Sequence, residues 1–444
     1  MKNTPSSPSL PADFPAGQPL GRTALLGGRT AQDPAQRRFL CTVCGVAGLL
    51  LGAIAAVNFV IDPLDWNQKR MVPQIEAGFP SYDREVHLNL VARYRPRVLI
   101  LGTSRAQHAF AADDPAFRER RMFNAAVGGG TLAEATAILR YAQSRSPVTE
   151  TVLGLDFSNT SNPADDAIDW RLVRSSGLTG WRDHVAMLLS ADTLYASLRA
   201  AFKTAIGLPH MFAKDGRTTR HAFVREVAKA GGPAPSAWAR LLEGVPDEKP
   251  DLVEFGRLFR QFLATACQGK TNPIIVIVPR HAAYLEMLRQ AGYWGDLEAW
   301  ERVMVQAASQ AACNATVWDF TGYDALTTEP VPRTNADPPM RWFWELSHFK
   351  PEVGAMMAAR IYGLPLPEGT PADFGTVLDA KDMAVHLAAL RRQSEQFAQR
   401  DAATVAYARA AIAKRLADLG HAPALPPASQ ATRRGWPPSA HWPG

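Results

Sequence analysis

Clusters of lysine and arginine interleaved with aromatic residues are missing from this 444-residue sequence. The formal net charge of +6 is modest and is spread along the chain, so we expect no nucleic-acid partner. A Gly-x-Gly-x-x-Gly fingerprint is also missing, which argues against a dinucleotide site, and we expect no cofactor. The 20% of charged and 47% of hydrophobic residues are ordinary for a folded protein with a substantial core.

Long apolar stretches are scarce, and the one that stands out runs from Phe39 to Ile61. At about 1.5 Å per residue, a helix of this length spans the roughly 30 Å hydrocarbon layer of a bilayer. A cleaved signal peptide and a buried core helix are the alternatives. The polar segment before the run is long for a signal peptide, and the run is apolar all round rather than striped. We therefore predict a single transmembrane anchor over residues 37–61.

Arginines on the N-terminal side of this run predict its orientation. Arg37 and Arg38 precede it directly, and positive flanks favour the cytoplasmic side of a membrane. The N-terminus is then cytoplasmic, and everything after Asp62 is periplasmic or otherwise outside the cytoplasm. The expected location is the cytoplasmic membrane, with a single pass.

Cysteine is rare, with four residues in the chain. Cys41 and Cys44 fall inside the predicted anchor, where small buried residues are a better explanation than a redox or zinc motif. Cys267 and Cys313 each close a helical stretch just before a predicted strand. In an oxidising compartment they are candidates for a disulfide, provided that their Cα atoms come within about 7 Å.

Strands and helices alternate between Asp62 and Leu364, which predicts an α/β fold: a parallel sheet with helices on both faces. The predicted strands are Val98–Leu101, Arg121–Asn124, Thr151–Asp156, Ile274–Val278 and Thr316–Phe320. The predicted helices are Leu132–Gln143, Val253–Cys267, a stretch from Ala282 through Ala312, and Trp181–Ala205 in an insertion. The predicted organisation is a disordered tail (1–36), the anchor (37–61), an α/β domain (62–365) with a helical insertion at about 158–249, C-terminal helices (366–421) and a disordered Pro-rich tail (422–444).

The first predicted strand ends in Gly102-Thr103-Ser104-Arg105. Four apolar residues before Gly102 are typical of a strand buried on both faces. A sharp turn after such a strand presents a nucleophile at the carboxyl edge of the sheet, which makes Ser104 the candidate. The alternative is that Ser104 only caps the following helix.

A second block, residues 123–131, reads Phe-Asn-Ala-Ala-Val-Gly-Gly-Gly-Thr. Its glycines allow the backbone to approach a ligand closely, with N–H groups directed at the sheet edge near Ser104. A flexible turn or a phosphate-binding loop is the alternative. The spacing and the lack of a ribose-binding acid make a nucleotide site the weaker interpretation.

A third block contains Glu345 and His348, three residues apart. On a helical turn or tight loop both side chains share one face, so the carboxylate can fix the tautomer of the imidazole. A structural histidine or a metal pair is the alternative. Because no second Glu-x-x-His pair is present, we expect no metal site.

Three further polar residues, Arg280, His281 and Asp319, lie at the ends of predicted strands. Arg280 and His281 follow a predicted strand and are candidates for substrate binding, although solvated loop residues fit the pattern equally well. Asp319 ends another strand and is an alternative orienting acid or a helix cap.

These blocks, in this order, resemble the SGNH (GDSL-like) hydrolase superfamily over about residues 90–365. The membrane-anchored relatives that O-acetylate or deacetylate bacterial surface polysaccharides look most similar, together with the D-alanine transfer protein of teichoic acid synthesis. The resemblance implies a three-layer, flavodoxin-like α/β domain.

The resemblance also implies roles for individual residues. Ser104 corresponds to the nucleophile, His348 to the general base and Glu345 to the acid that orients it. The amides of Ser104 and Gly128 correspond to oxyanion-hole donors.

The sequence departs from the family pattern at three places. Thr103 and Arg105 stand beside the nucleophile, and we expect Arg105 to contact substrate. Glu345 is one methylene longer than the usual Asp. Where the family has Gly-x-Asn-Asp, this chain has Asp156, so Asn124 or Asn159 is left to supply a side-chain donor to the oxyanion hole.

The predicted function is that of a membrane-anchored serine esterase or O-acyltransferase acting on acyl, most simply acetyl, esters of an envelope or exported polysaccharide. Expected partners are the membrane, the polysaccharide and an envelope acylation complex. The alternative is a catalytically silent SGNH-like module that binds polysaccharide or scaffolds an envelope complex.

Overall fold

The computed structural model describes residues 34–67, 71–72, 83–157, 178–239 and 249–418. The predicted disorder of the C-terminal tail and of residues 1–33 falls outside these ranges. So do Asn159 and, within the predicted insertion, residues 158–177 and 240–248.

The first helix, α1 (Pro34–Ile61), contains the predicted anchor. A stretch of 18 residues in this helix has a mean hydropathy of 2.4, and no residue of that stretch is buried within the chain. The helix is long and apolar enough to cross a membrane, a property that an N-terminal signal sequence shares. Cys41 and Cys44 are both exposed on it.

From Ile54 onward the chain forms one compact unit around a six-stranded sheet. In chain order, the strands are β1 (Val98–Gly102), β2 (Met122–Asn124), β3 (Glu150–Leu155), β4 (Asn272–Ile277), β5 (Thr316–Asp319) and, much later, β8 (Thr376–Val377). The order across the sheet is β2-β1-β3-β4-β5-β8, with β8 antiparallel and the other five parallel. The predicted α/β class is confirmed, and the predicted parallel sheet carries one additional, antiparallel edge strand, β8.

Burial of the strands explains their composition. All five residues of β1 are buried, and β3 is buried beyond its first residue. Strands covered on both faces read as continuous apolar runs rather than as alternating patterns, because neither side meets water. The predicted strands therefore agree with the observed ones to within two residues at each end.

Helices flank the sheet. Those of the core are α2 (Asp83–Tyr94), α3 (Ser104–Ala109), α4 (Leu132–Arg145), α9 (Leu252–Gln268), α10 (Ala282–Gln290), α11 (Trp294–Ser309) and α12 (Pro351–Ile361). Helix α9 packs between α4 and α11, and α3 packs against α12. A small hairpin, β6 (Phe343–Glu345) with β7 (His348–Phe349), lies outside the main sheet.

Two stretches predicted as single helices are each broken in two. The stretch from Ala282 through Ala312 breaks at Gly292, whose φ of +85° ends α10 without steric cost. The insertion contains α5 (Leu178–Leu188) and α6 (Ala191–Ala205), separated where Ser190 caps α6 by accepting a hydrogen bond from the Thr193 amide. Apolar periodicity continues across both breaks, so the pattern alone did not reveal them.

The rest of the described insertion consists of α7 (Arg220–Lys229) and α8 (Pro233–Ala239). After the core come α13 (Met383–Arg400) and α14 (Ala402–Asp418). The segment predicted to hold only C-terminal helices thus also supplies β8, which pairs with β5 at the edge of the sheet. The sheet is completed by residues beyond the predicted domain boundary at 365.

Cys267 and Cys313 form a disulfide, with their Cα atoms 5.2 Å apart and a sequence separation of 46. Closing a loop of this length removes conformational entropy from the unfolded chain. We expect replacement of both cysteines by serine to lower the free energy of unfolding by about 2–4 kcal/mol, measured by denaturant titration in detergent. The paired change Cys41→Ser and Cys44→Ser is the control and should leave it unchanged, because both thiols are exposed and unbonded. Equal stability of all variants would contradict this account.

Candidate active site

The turn after β1 is held in a tight backbone geometry. Gly102 has φ +129°, and a Cβ there would lie 2.2 Å from the carbonyl oxygen of Gly154 on β3. Only glycine fits this position. Thr103 is the N-cap of α3 and accepts a hydrogen bond from the amide of Arg105, so Ser104 is the first helical residue and not the cap. Its side chain is left partly exposed at the carboxyl edge of the sheet.

Ser104, His348 and Glu345 form a continuous hydrogen-bonded chain. Ser104 Oγ lies 2.8 Å from His348 Nε2. His348 Nδ1 contacts Glu345 Oε1 within hydrogen-bonding distance. An Nδ1–H donated to the carboxylate leaves Nε2 as an acceptor for the serine hydroxyl. The extra methylene of glutamate therefore does not prevent the acid from reaching the imidazole.

A β-hairpin with a two-residue turn, rather than a helical turn, brings Glu345 and His348 together. Glu345 and His348 are directly opposite each other across β6 and β7, and opposed residues on antiparallel strands point to the same face. The hairpin tip is anchored on both sides: the Leu346 amide donates to Ala237 O at 3.1 Å, and Leu346 O accepts from the His281 amide at 3.2 Å. The hairpin that carries His348 is thus fixed by backbone contacts.

Arg105 connects the nucleophile turn to the hairpin tip. Its Nε donates to Ser347 O at 3.0 Å, and its Nη2 donates to Ser347 Oγ. Its Nη1 donates to Asp156 Oδ2 at 2.6 Å. The guanidinium is buried and fully engaged in these contacts. Arg105, predicted to contact substrate, is directed in the structure at Ser347 and Asp156, and so links the turn that carries Ser104 to the hairpin that carries His348.

Asp156 is buried behind the nucleophile turn. Its Oδ2 accepts from Thr103 Oγ1 at 3.2 Å as well as from Arg105, and its Oδ1 accepts from Arg280 Nη2 at 3.1 Å. The carboxylate is thus neutralised by two guanidinium groups. Through Thr103 and Arg105, Asp156 supports the turn that carries Ser104 from the interior of the protein.

Arg280 and His281, predicted as substrate-binding residues, are both buried in the structure and bonded within the chain. Arg280 is 2% exposed and stacks over the ring of Tyr284 at 3.8 Å. His281 is 1% exposed, caps α10 through the Ala283 amide, and contacts Glu329 O at 2.8 Å. Their position after a strand indicated the correct edge of the sheet but not their burial.

The electrostatic surroundings keep Glu345 ionised. Burial opposes ionisation, but the charge of His348, the amide of Ser347 and the charge of Arg105 outweigh it, so the pKa of Glu345 is lowered from its usual value. The Ser347 amide donates to Glu345 Oε2 at 2.6 Å. A carboxylate that stays charged through the neutral range can stabilise an imidazolium at His348.

Two amides are available as oxyanion donors. Within the described part of the chain, neither the Ser104 nor the Gly128 amide donates a hydrogen bond, and both residues line the same cleft. A side chain at Gly128 would meet nothing within 4 Å, so the backbone there is open to a ligand. Asn124 does not take part: its fully buried amide donates to the carbonyls of Ala106, Gln107 and Phe110. That prediction is corrected, because Asn124 holds the end of α3.

The cleft that contains Ser104 has a volume of about 660 Å³. One wall is Phe223, from α7 of the insertion, stacked at 5.5 Å on Trp344 of the hairpin with an angle of 8° between the rings. Met211, Phe212 and Val227 add further apolar surface from the insertion. The described part of the insertion therefore forms a side of the cleft.

His108 is a site residue that the sequence did not indicate. Its ring lies 5.8 Å from that of His348 and 4.0 Å, edge-on, from that of Phe223. Burial and the neighbouring His348 hold the pKa of His108 well below its usual value, so the ring is neutral. A neutral imidazole on the cleft wall can donate or accept one hydrogen bond to a ligand. Because His108 is only four residues after the nucleophile on a short helix, no spacing signal distinguished it.

A serine hydroxyl bonded to an imidazole, which is in turn bonded to a carboxylate, is the arrangement that general-base activation of a nucleophile requires.

No model of a known protein family matches this sequence, and no curated protein matches it.

Proposed function

We propose that this chain is a membrane-anchored serine esterase or O-acyltransferase of the SGNH-like type. Its substrates are acyl esters, most simply acetyl esters, of an envelope or exported polysaccharide. The observation that carries the proposal is the hydrogen-bonded chain of Ser104, His348 and Glu345 at the wall of an open cleft.

In the first half of the proposed reaction, Ser104 Oγ attacks the ester carbonyl carbon. His348 Nε2 accepts the hydroxyl proton as the new C–O bond forms, and Glu345 stabilises the resulting imidazolium. The carbonyl oxygen becomes an oxyanion within reach of the Ser104 and Gly128 amides. Collapse of this intermediate breaks the ester C–O bond, and His348 returns the proton to the departing alcohol.

In the second half, an acceptor hydroxyl attacks the acyl-Ser104 ester. His348 removes the acceptor's proton and then gives it to Ser104 Oγ as the acyl group leaves. Water as acceptor gives hydrolysis, and a sugar hydroxyl gives transfer. The same residues serve both outcomes, since only the acceptor differs.

The architecture supports the family assignment. The strand order β2-β1-β3-β4-β5 is that of flavodoxin-like sheets, in which ligands bind at the carboxyl ends of the strands where the order reverses. The order reverses between β1 and β3, and Ser104 follows β1 directly.

The cleft and α1 support the substrate class and location. Stacked Phe223 and Trp344 present an aromatic wall of the kind that packs on a sugar ring. The Cys267–Cys313 disulfide suits an oxidising compartment outside the cytoplasm. Exposed apolar residues on α6, among them Leu198 and Phe202, lie on the helix that Asn58 of α1 contacts through Ser197, consistent with a membrane-proximal surface.

The catalytically silent alternative rested on Asp156 and Glu345. Asp156 is engaged by Arg105 and Arg280, so its charge is balanced by two guanidinium groups. Glu345 reaches His348. Neither departure from the family pattern therefore argues against activity.

A fluorophosphonate probe tests the proposal directly. We expect the full chain in detergent to form one covalent adduct per molecule and to release p-nitrophenol from its acetate ester, because an activated serine attacks both reagents. Ser104→Ala should abolish the adduct and the ester cleavage together, measured by intact mass and by absorbance.

Ser236→Ala is the matched control. Ser236 lines the same cleft and is 6% exposed, yet within the described ranges no hydrogen bond joins it to His348 or Glu345. Its replacement should leave labelling intact. A wild-type chain that forms no Ser104-dependent adduct and cleaves no ester would refute the enzyme and favour a polysaccharide-binding module.

A further inference from the structure

A second polar cluster lies away from the cleft, where three elements meet. Glu301 comes from α11, Asp319 from the end of β5, and His386 from the first turn of α13. Glu301 is fully buried, and Asp319 is 2% exposed. The cluster shares no residue with the Ser104 cleft. Because its members are far apart in sequence, it has no motif, and the sequence predicts no metal site.

The distances around His386 Nε2 are those of a coordination site. Asp319 Oδ2 is 3.1 Å away and Glu301 Oε2 is 3.4 Å away. Donor atoms about 2.0–2.1 Å from a tetrahedral zinc ion are separated from each other by roughly 3.3 Å. One potential ligand atom from each of the three residues lies within 4.8 Å of the other two.

The hydrogen bonding is incomplete in a way that points to a ligand. Among the described residues, neither carboxylate oxygen of Glu301 accepts a hydrogen bond, and His386 Nε2 makes none despite its two close carboxylates. A buried carboxylate without donors is costly unless a cation compensates for it.

Hydrogen bonds from Thr321 hold the Asp319 carboxylate in place. Its Oδ1 accepts from the amide and hydroxyl of Thr321, at 2.8 and 2.7 Å, which leaves Oδ2 for the side of His386. Outer hydrogen bonds of this kind fix the direction of a metal ligand.

A cavity of about 340 Å³ reaches Asp319 and His386 from the surface. Its lining carries four further acidic residues: Asp324, Asp373, Asp379 and Asp382. A cleft lined by one sign of charge concentrates the opposite ion, so this cavity is an entry path for a cation.

We propose that Glu301, Asp319 and His386 bind a divalent transition-metal ion, with zinc as the best match to one imidazole and two carboxylate ligands. Water from the acidic cavity completes the coordination. The ion joins α13 to β5 and α11 and so fastens α13 to the sheet.

The test is zinc binding by the full chain in detergent after chelator treatment. Cys41 and Cys44 are exposed thiols with zinc-binding spacing, so both are first replaced by serine. We expect this background to bind one zinc ion per chain by calorimetry and metal analysis, and to melt at a higher temperature with zinc than without. Cobalt in its place should give the visible absorption of a nitrogen- and oxygen-coordinated ion.

Glu301→Gln keeps the size of the side chain and should lose the stoichiometric binding, as should His386→Ala. Asp379→Asn removes an acidic group from the same cavity, one that is 49% exposed, and should retain the binding. If the background protein binds no zinc, the cluster is a buried ion pair with a protonated His386, and the proposal is wrong. If Asp379→Asn loses as much binding as Glu301→Gln, the cavity attracts cations without a defined site, which also overturns it.

Discussion

Replacing His348 by glutamine is expected to lower kcat/KM for p-nitrophenyl acetate by at least about 10³-fold. Glutamine keeps a polar group near Ser104 Oγ but cannot take up a proton from it. Because His348 Nε2 is the atom 2.8 Å from the hydroxyl, its loss removes general-base activation and leaves the oxyanion donors in place. The measurement is initial-rate kinetics on the full chain in detergent.

A double variant separates a catalytic unit from two independent effects. Residues that act as one unit are strongly non-additive, since neither functions once the other is gone. The variant with both Ser104→Ala and His348→Gln should therefore be no slower than Ser104→Ala alone. If the rate loss of the double variant equals the product of the two single losses, the two residues act independently, and the proposed mechanism is wrong.

His108→Gln is the matched control for the base. His108 is the other imidazole on the cleft wall, and its ring lies 5.8 Å from that of His348. Its lowered pKa keeps it neutral, and no hydrogen bond joins it to Ser104 among the described residues. We expect a change mainly in KM. A loss in kcat as large as that of His348→Gln would mean that His348 is not the only imidazole on which proton transfer depends, and would contradict the assignment of His348 as the single base.

The fold was predictable because its strands are buried on both faces. A continuous apolar run such as Val98–Gly102 shows where the strand begins and ends, because both of its faces are buried and polar residues return only after the strand. Helix breaks were less predictable. At Gly292 one residue with a positive φ ends α10, while the apolar pattern resumes in α11 a few positions later. Strand β8 is two exposed residues long, too short for any periodic signal.

The site was predictable where its chemistry is local and unpredictable where it depends on packing. Glu345 and His348 are close in sequence, so their pairing followed from spacing, although the hairpin that joins them did not. Arg105 and Arg280 were interpreted as ligands for substrate because charged residues near a sheet edge usually face solvent. Their actual partner, Asp156, is distant in sequence from both, and a network of this kind leaves no pattern in the chain.

Asp156→Ala is expected to lower the free energy of unfolding by about 3–5 kcal/mol, the usual cost of removing one member of a buried ion pair. The change leaves two buried guanidinium groups facing each other. Burial and the charge of Arg280 already lower the pKa of Arg105, and Asp156 is the nearest group that acts against them. Denaturant titration of the full chain in detergent measures the loss.

Two comparisons make this prediction specific to buried charge. Glu254→Ala breaks the exposed pair of Glu254 with Arg257 on α9 and should have little effect, because solvent screens both groups. Adding Arg280→Met to Asp156→Ala should recover part of the stability, since it removes one of the two unpaired cations and keeps apolar volume over Tyr284.

Thr103 also loses its acceptor in Asp156→Ala, so the nucleophile turn loosens and kcat should fall even in the fraction that stays folded. Unchanged stability in Asp156→Ala would mean that Ser347 alone holds Arg105 and that the network beneath the turn is dispensable.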